Sequence, residues 1–589
     1  MIVPLKKITL ICLDRDRTST IEALRNLGVA HLVPVHAPDE PDLDTLHNRL
    51  ADCDKALTIL RTITPANGTS NPMDPLACIN RVLEQSRILG EQAESLAALQ
   101  ADAATARPFG AFNPEVIQSL TAHGLAIHAY RIPDGPPPPV PAGCVTTRLP
   151  DSGPEPIMVL VGPSATVLDL PEVPLPRKNV VELEAACRDL EKQMEQSRQN
   201  LAELAAMQAR LNDWREKGRE QERLLSAQAG MGRNEHLAWL QGFVPEDTVP
   251  VVHDAARTHG WGLRVEDPAD GDRIPTLIRL PRWVRPIQSL FGLIRIFPGY
   301  READVSASFL VFLTLFAAMI MGDAGYGILF LALSLWLGRK FKGRAPREPF
   351  ILLNIFSIAT IVWGILSGVY FGLEQAPFGL GALRVDWLTD NRNVMGLCMF
   401  LGAIHLTLAH GWSALRLFPS PQAVAQGGWI AITWTMFFIA RLMLLQTPFP
   451  TWFIPVSLLG LLAVLVFMTP WSKIKTEWIQ HVMLPLTLMS GFGDILSYLR
   501  LFALGVASVE LAGVFNKIVA DLDGNILVRV IAGALILLLG HGLNAILGAM
   551  SVFVHGIRLN ALEFSMHMGL EWSGTPFTPF ARSDQQDRT

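Results

Sequence analysis

The chain has 589 residues, a formal net charge of −5 and a mean hydropathy of +0.30, with half of its residues hydrophobic. A net charge so small and negative gives no pointer to nucleic acid as a partner, and the length leaves room for a soluble module beside a membrane module. The averages conceal two unlike halves: residues 1–300 carry most of the charge and the Pro-rich stretches, whereas 305–566 are long apolar runs separated by short loops.

The opening Met1-Ile-Val-Pro-Leu-Lys-Lys-Ile has no apolar core between a basic start and a cleavage site, so no signal peptide is read and the soluble half is expected in the cytoplasm. Residues 6–13 are β-prone, an amphipathic helix follows from about Ser19 to Leu27, and Val29–Val35 returns as a strand. The same outline recurs at Leu237–Val244 (strand), Pro245–His259 (helix) and Trp261–Val265 (strand), which predicts two small α/β lobes. The first lobe is assigned to 1–40 and 105–175, the second, with a junction, to 235–300. Six cysteines, Cys12, Cys53, Cys78, Cys144, Cys187 and Cys398, show no CxxC pair and read as reduced, packed thiols; neither a metal site nor a cofactor is expected.

Between the lobes, Leu43, Leu46, Leu50, Cys53, Leu57 and Leu60 follow a 3-4-3-4-3 spacing. Leu183, Cys187, Leu190, Met194, Leu201, Leu204 and Leu211 keep the same rhythm, with gaps at Ser197 and Gln208. That alternation draws one apolar seam along each helix and predicts a coiled-coil arm from 41–104 and 179–229. A continuous helix from Asn179 to Ala227 would extend roughly 70 Å. The run Pro133–Pro141 reads as a stiff connector.

In the second half, Ser306–Gly338 is too long for one simple crossing and is interrupted by Gly322-Asp323-Ala324-Gly325. The loop Arg339–Arg347 after it is the most basic in this half. A hairpin of two short helices turning near Gly322–Gly325 keeps that loop on the cytoplasmic side, as the positive-inside rule asks. The expected crossings are 306–322, 324–338, 349–372, 393–416, 427–446, 453–470, 484–517 and 526–566, with 567–589 as a cytoplasmic tail. The fold class is thus an α+β amino-terminal half, two α/β lobes joined by a coiled-coil arm, followed by an all-α polytopic domain of about eight transmembrane helices.

Two cations stand inside these apolar runs, Arg500 and Arg558. A central Arg costs roughly 2.5–3.5 kcal/mol on insertion scales and cannot escape by deprotonation. At 100° per residue, Arg558, Ser551, Asn544, His555, Gly548 and His541 fall within an arc of about 100° on the last helix. On the preceding one Ser490, Asp494, Ser497, Arg500 and Ser508 share an arc of about 120°, while Glu510 points away, nearer the outside. His405 and His410 add titratable groups on the fourth crossing. Ser, Asn and His alone would suit helix–helix hydrogen bonding. The two arginines could be a pair of structural salt bridges, but helix–helix hydrogen bonding needs no permanent cation, and the reading preferred over both is an ion path.

The opening eight residues, Leu240-Gln-Gly-Phe-Val-Pro-Glu246, Met321-Gly-Asp-Ala-Gly-Tyr-Gly327, Gly364-Ile-Leu-Ser-Gly-Val-Tyr-Phe-Gly372, Ser497-Tyr-Leu-Arg-Leu-Phe-Ala-Leu504 and Val554-His-Gly-Ile-Arg-Leu-Asn560 together resemble the membrane stator subunit of vacuolar/archaeal-type rotary ATPases, called subunit I in bacteria. The resemblance covers nearly the whole chain. It implies a non-catalytic membrane subunit that offers two ion half-channels to a ring of proteolipid subunits; the short outer loops, with no Asn-x-Ser/Thr acceptor in 373–392, favour a prokaryotic plasma membrane. Arg500 and Arg558 would lie between the half-channels, and the amino-terminal arm would anchor peripheral stalk subunits. The central rotor and nucleotide-binding subunits would be engaged indirectly. Some relatives carry a His near Ser508 and a Glu near Gly548, relay groups with no counterpart here. No Gly-Lys-Ser/Thr phosphate loop occurs, so ATP chemistry would reside on partner chains. A secondary transporter would need two repeated membrane halves, which are not seen. A tethered scaffold leaves both arginines unexplained.

Overall fold

The structure, a computed structural model, describes residues 1–589 except 39, 66–72, 111–112, 133–139, 141, 150–155, 164–167, 169, 177, 344, 374–376 and 583–589. The connector expected at 133–141 lies outside the described residues apart from Val140, as does the end of the tail. In chain order the amino-terminal half runs β1 (Leu5–Leu13), α1 (Arg17–Leu27), β2 (His31–Val33), α2 (Pro41–Arg61), α3 (Pro75–Ala106), α4 (Pro114–Ala122), β3 (Leu125–Arg131), β4 (Val145–Arg148), β5 (Ile157–Pro163), β6 (Glu172–Val173), α5 (Val180–Ala205), α6 (Gln208–Ala229), β7 (Gly232–Arg233), β8 (Leu237–Pro245), α7 (Val249–His259) and β9 (Gly262–Glu266).

The strands form two sheets, of order β2-β8-β1-β9 with β7 paired on β8, and β4-β5-β3-β6. This corrects the expected lobes. The two β-α-β outlines supply one sheet together, because two strands alone are marginally stable and leave edges unpaired. Residues 125–173 make a sheet of their own, antiparallel in register, Ala126 opposite Gly162 and Tyr130 opposite Met158.

The chain divides into two compact units: Thr9–Gly242, Asp254–Arg264 and Phe580–Thr589 in one, Met1–Ile8, Phe243–His253 and Val265–Pro579 in the other. In the first, α3 packs along α5 and α2 along α6. The expected continuous helix therefore breaks, at 206–207. Cys53, Leu57 and Leu60 of α2, Cys78 and Val82 of α3, and Leu201, Leu204 and Leu211 across the break share one core. A straight helix cannot serve two partners joined by a reversal, and at the break Gln208 donates to the Leu60 carbonyl in the last turn of α2. The gap at Ser197 is filled by a hydrogen bond to Gln92, 3.3 Å.

The second unit continues through α8 (Ile287–Ile294), α9 (Ser306–Met321), α10 (Ala324–Lys340), α11 (Glu348–Ser367), α12 (Asn391–Leu417), α13 (Gln422–Leu445), α14 (Ile454–Phe467), α15 (Ile474–Glu477), α16 (Ile479–Ser497), α17 (Leu499–Ala520) and α18 (Ile526–Ser551), followed by π-helical turns at Val552–Gly556 and Leu559–Phe564. Among the described residues five helices are long and apolar enough to cross a membrane, six if the pair bent by 60° at 451–477 is one span. The eight expected crossings depend further on α9 and α10, which at 16 and 17 residues fall short of the ~20 a bilayer asks. The break between them is where the sequence put it. Gly322 sits at φ 67°, and buried Asp323 caps α10, accepting from the Gly325 amide (2.7 Å) while its other oxygen accepts from Gly372 N–H, 3.1 Å. α11 lies antiparallel along α10, with Gly364 against Ala324 at one end and Phe350 against Gly338 at the other, and also packs on α9 and α8.

Candidate functional site

The site begins at a break in a helix. Tyr498 separates α16 from α17, its ring fully buried against Gly402, where a Cβ would lie 2.5 Å from Tyr498 Cδ2. Its hydroxyl is 2.8 Å from Nδ1 of His405, whose ring is stacked on Phe312 and Phe564 at 3.9 and 4.3 Å. Arg500 stands two residues further on.

Arg500 and Arg558 converge on one carboxylate. Oε1 of Glu563 accepts from Arg500 Nη2 at 3.1 Å and lies 3.6 Å from Arg558 Nε. The Glu563 side chain is 4% exposed, against 26% for Arg500 and 55% for Arg558. Sequence reasoning missed Glu563 because an α-helical wheel sets residues five apart on different faces. The π-helical turns restore the contact: i→i+5 bonding brings Glu563 over Arg558. A carboxylate inside the apolar run Leu562-Glu563-Phe564 was signal enough.

The other predicted residues separate into groups. Asp494 pairs with His567 (3.0 Å), whose ring meets His410 edge-on at 4.8 Å, and His410 Nδ1 lies 2.8 Å from Gln426 Oε1. His567 and Gln426 were not anticipated. Ser497 turns its hydroxyl back to the Gly493 carbonyl, 3.0 Å. His555 is half-buried, and its Nδ1 has no hydrogen-bond partner among the described residues; Ser551 is half-buried on the preceding turn.

Ser508, Asn544 and His541 close on one another and on Tyr326 of α10. Asn544 Nδ2 donates to the Ser508 carbonyl (2.8 Å) and to Tyr326 Oη (3.0 Å), and Ser508 Oγ donates to Asn544 Oδ1, 3.3 Å. His541 Nδ1 lies 2.7 Å from Tyr326 Oη and its Nε2 lies 3.1 Å from Asn516 Oδ1. An amide oxygen only accepts, so Nε2 carries the proton and Tyr326 donates to Nδ1. Glu510 is exposed on another face of α17. Among the described residues no group of three His, Cys, Asp or Glu is placed to hold a metal ion.

No family model matches the chain. Curated relatives do. The V-type ATP synthase subunit I of Borreliella burgdorferi is 33% identical over 371 residues, 59% of this chain and 60% of that protein. V-type ATP synthase subunit I 1 of Treponema pallidum is 27% identical over 98% of this chain and 100% of its own length. The A-type ATP synthase subunit I of Methanocaldococcus jannaschii is 24% identical, covering 60% of this chain and 56% of that protein. The chain thus spans under two thirds of the Borreliella and Methanocaldococcus proteins and the whole of the Treponema one. A crystal structure of the cytoplasmic N-terminal domain of subunit I, homolog of subunit a, of V-ATPase matches 44% of the chain at 16% identity and a TM-score of 0.21, too low to establish a shared fold. The chain is a homologue of proteins named subunit I of V-type and A-type ATP synthases.

Proposed function

We propose that this chain is the ion-translocating stator subunit of a V/A-type rotary ATPase in a prokaryotic plasma membrane, with its amino-terminal half in the cytoplasm and no nucleotide site of its own. The observation that carries this reading is the convergence of Arg500 and Arg558, from different helices, on the buried carboxylate of Glu563. One oxygen of Glu563 orients both guanidiniums, yet Arg558 stays more than half exposed. Each guanidinium has five donors, so holding one carboxylate leaves several free for another.

A proteolipid carboxylate arriving at that exposed face meets a fixed cation. The cation favours the ionised carboxylate, lowers its pKa and makes it release its ion before it passes. The same charge bars ions from leaking directly between two half-channels, as charged constrictions do in pores. The Asp494–His567–His410 cluster and the half-buried His555 are candidate groups on the path. The arm of α2, α3, α5 and α6 is the anchor for peripheral stalk subunits, through which the chain is coupled indirectly to central rotor and nucleotide-binding subunits.

The test is ATP-driven ion uptake into vesicles holding the assembled complex. Arg500→Ala is expected to abolish uptake while leaving assembly intact. Arg500→Lys is expected to be severely impaired, because lysine loses the planar fork and can deprotonate in an apolar site. Robust uptake by Arg500→Ala would end the reading.

A further inference from the structure

π-helical turns are rare and usually come singly, so a pair of them needs support from its surroundings. Here Val552–Gly556 and Leu559–Phe564 follow one another, and the second sets Glu563 over Arg558. Glu563 has little else to fix it. Its Oε2 is buried and bonds nothing among the described residues, so apart from the two arginines its place is set by its own backbone turn.

Side chains hold that turn. The Gly556 carbonyl accepts from Asn560 Nδ2 at 3.1 Å and the Asn560 carbonyl from Ser565 Oγ at 2.9 Å, both within the helix. The Ala561 carbonyl accepts from beyond the helix end, from indole Nε1 of Trp572 at 3.2 Å. The same indole stands edge-on to Phe291 of α8 and Phe309 of α9, at 5.9 and 6.3 Å.

Trp572 has φ 54°, a left-handed conformation that an aromatic residue keeps only where its surroundings hold it. Both neighbouring stretches do so. Glu571 N–H donates to Glu302 Oε1 (3.0 Å) and Gly574 N–H to the Phe297 carbonyl, 3.1 Å. Thr276 N–H donates to the Thr575 carbonyl (2.7 Å), and the Thr276 carbonyl accepts from Phe577 N–H, 3.0 Å. A Cβ on Gly574 would collide with the Pro298 carbonyl. The segment from Leu570 to Phe577 is therefore a strap, paired with the chain that leads into α9.

We infer that Trp572 is a positioning residue for the arginine pair: held by the strap, its indole fixes the Ala561 carbonyl, and with it the π-helical turn that brings Glu563 to Arg558 and Arg500. The inference rests on the stator reading above for what the arginines do. The geometry that it assigns to Trp572 stands apart from that reading, and each is tested separately.

Trp572→Phe keeps a ring against Phe291 and Phe309 and deletes the donor. In the purified full-length protein, the amides of 562–568 are expected to exchange hydrogen about three- to tenfold faster than in the parent, the effect of one net hydrogen bond. Melting temperature and exchange in α10 and α11 should stay as they are. Unchanged exchange at 562–568 would overturn the inference, as would faster exchange spread over α10 and α11 with a lowered melting temperature. In vesicles holding the assembled complex, ATP-driven uptake by Trp572→Phe is expected to fall by about three- to tenfold, and Gly574→Ala, which must lift the strap off Pro298, should show the same loss. Within a Glu563→Gln background, Trp572→Phe should change uptake by less than about twofold, because no carboxylate is left to position. Losses that multiply in the double variant would make Trp572 a packing residue and overturn the inference. If Arg500→Ala abolishes uptake while Trp572→Phe transports normally, the positioning assignment alone falls. If Arg500→Ala transports normally, the stator reading falls first, and hydrogen exchange still decides whether Trp572 holds the turn.

Discussion

Glu563 decides how two cations can occupy one apolar region. Removing one partner of a buried ion pair typically costs about 3–5 kcal/mol, because the remaining charge is left unpaired. Here the remaining charges are arginines with 26% and 55% of their side chains exposed, on the face that the proposed function gives to the proteolipid carboxylates, which can pair with them in place of Glu563. Glu563→Gln should therefore assemble, and its defect should appear in transport. Losing a charge-assisted hydrogen bond of ~1.5–3 kcal/mol frees both guanidiniums to wander, and uptake is expected to fall roughly ten- to a hundredfold. Glu563→Asp, with the charge kept but the reach shortened, should lie between. Uptake in the Gln variant equal to the parent's would mean that the guanidiniums hold position without Glu563.

Among the elements, the pairing of α10 and α11 is the most tightly specified. Gly364 faces Ala324 so closely that a Cβ would stand 2.1 Å from its backbone nitrogen, and Gly327 approaches the Ile361 nitrogen at 2.9 Å by the same measure. Gly364→Ala must push the helices apart near the Asp323 cap. Overpacking of this kind costs about 1–3 kcal/mol, so a lowered melting temperature of the purified protein is expected. Gly427→Ala, on α13 with open space around it, is the control and should melt like the parent. Equal melting of both variants would show that α10 and α11 yield without cost. The arm teaches the converse: its seams were legible as 3-4 spacings, yet the break at 206–207 follows from α2 and α3 reversing, a feature that no helical period encodes.

At the scale of the whole molecule the basic loop sets the expected orientation of every crossing. Arg339 and Lys340 end α10 and Lys342, Arg344 and Arg347 follow it, and the positive-inside rule assigns such a cluster to the cytoplasm. A single cysteine at Lys342 in a Cys-free background should react with impermeant thiol reagents from the cytoplasmic side only. Reaction from outside would replace the pair α9 and α10 by one broken span and reverse everything after it. The 42-residue helical stretch Ile479–Ala520 would be roughly 63 Å long, about twice the hydrocarbon thickness, so it must lean or project beyond the bilayer.

By itself the sequence determined the division into two halves, the helical seams, the interruption at Gly322–Asp323 and the two arginines inside long apolar runs. Each of these is written in local composition, spacing or charge. Tertiary structure decided the rest. The two β-α-β outlines became one sheet because strand edges pair with whatever edge is available, irrespective of distance along the chain. Asn544, Ser508 and His541, aligned on paper with Arg558 and Arg500, were drawn off to Tyr326, a partner more than 180 residues earlier that no wheel could supply. Glu563 met the arginines only because π-helical turns shift the facing by one residue, and the choice between α and π bonding is made by the packing around a helix.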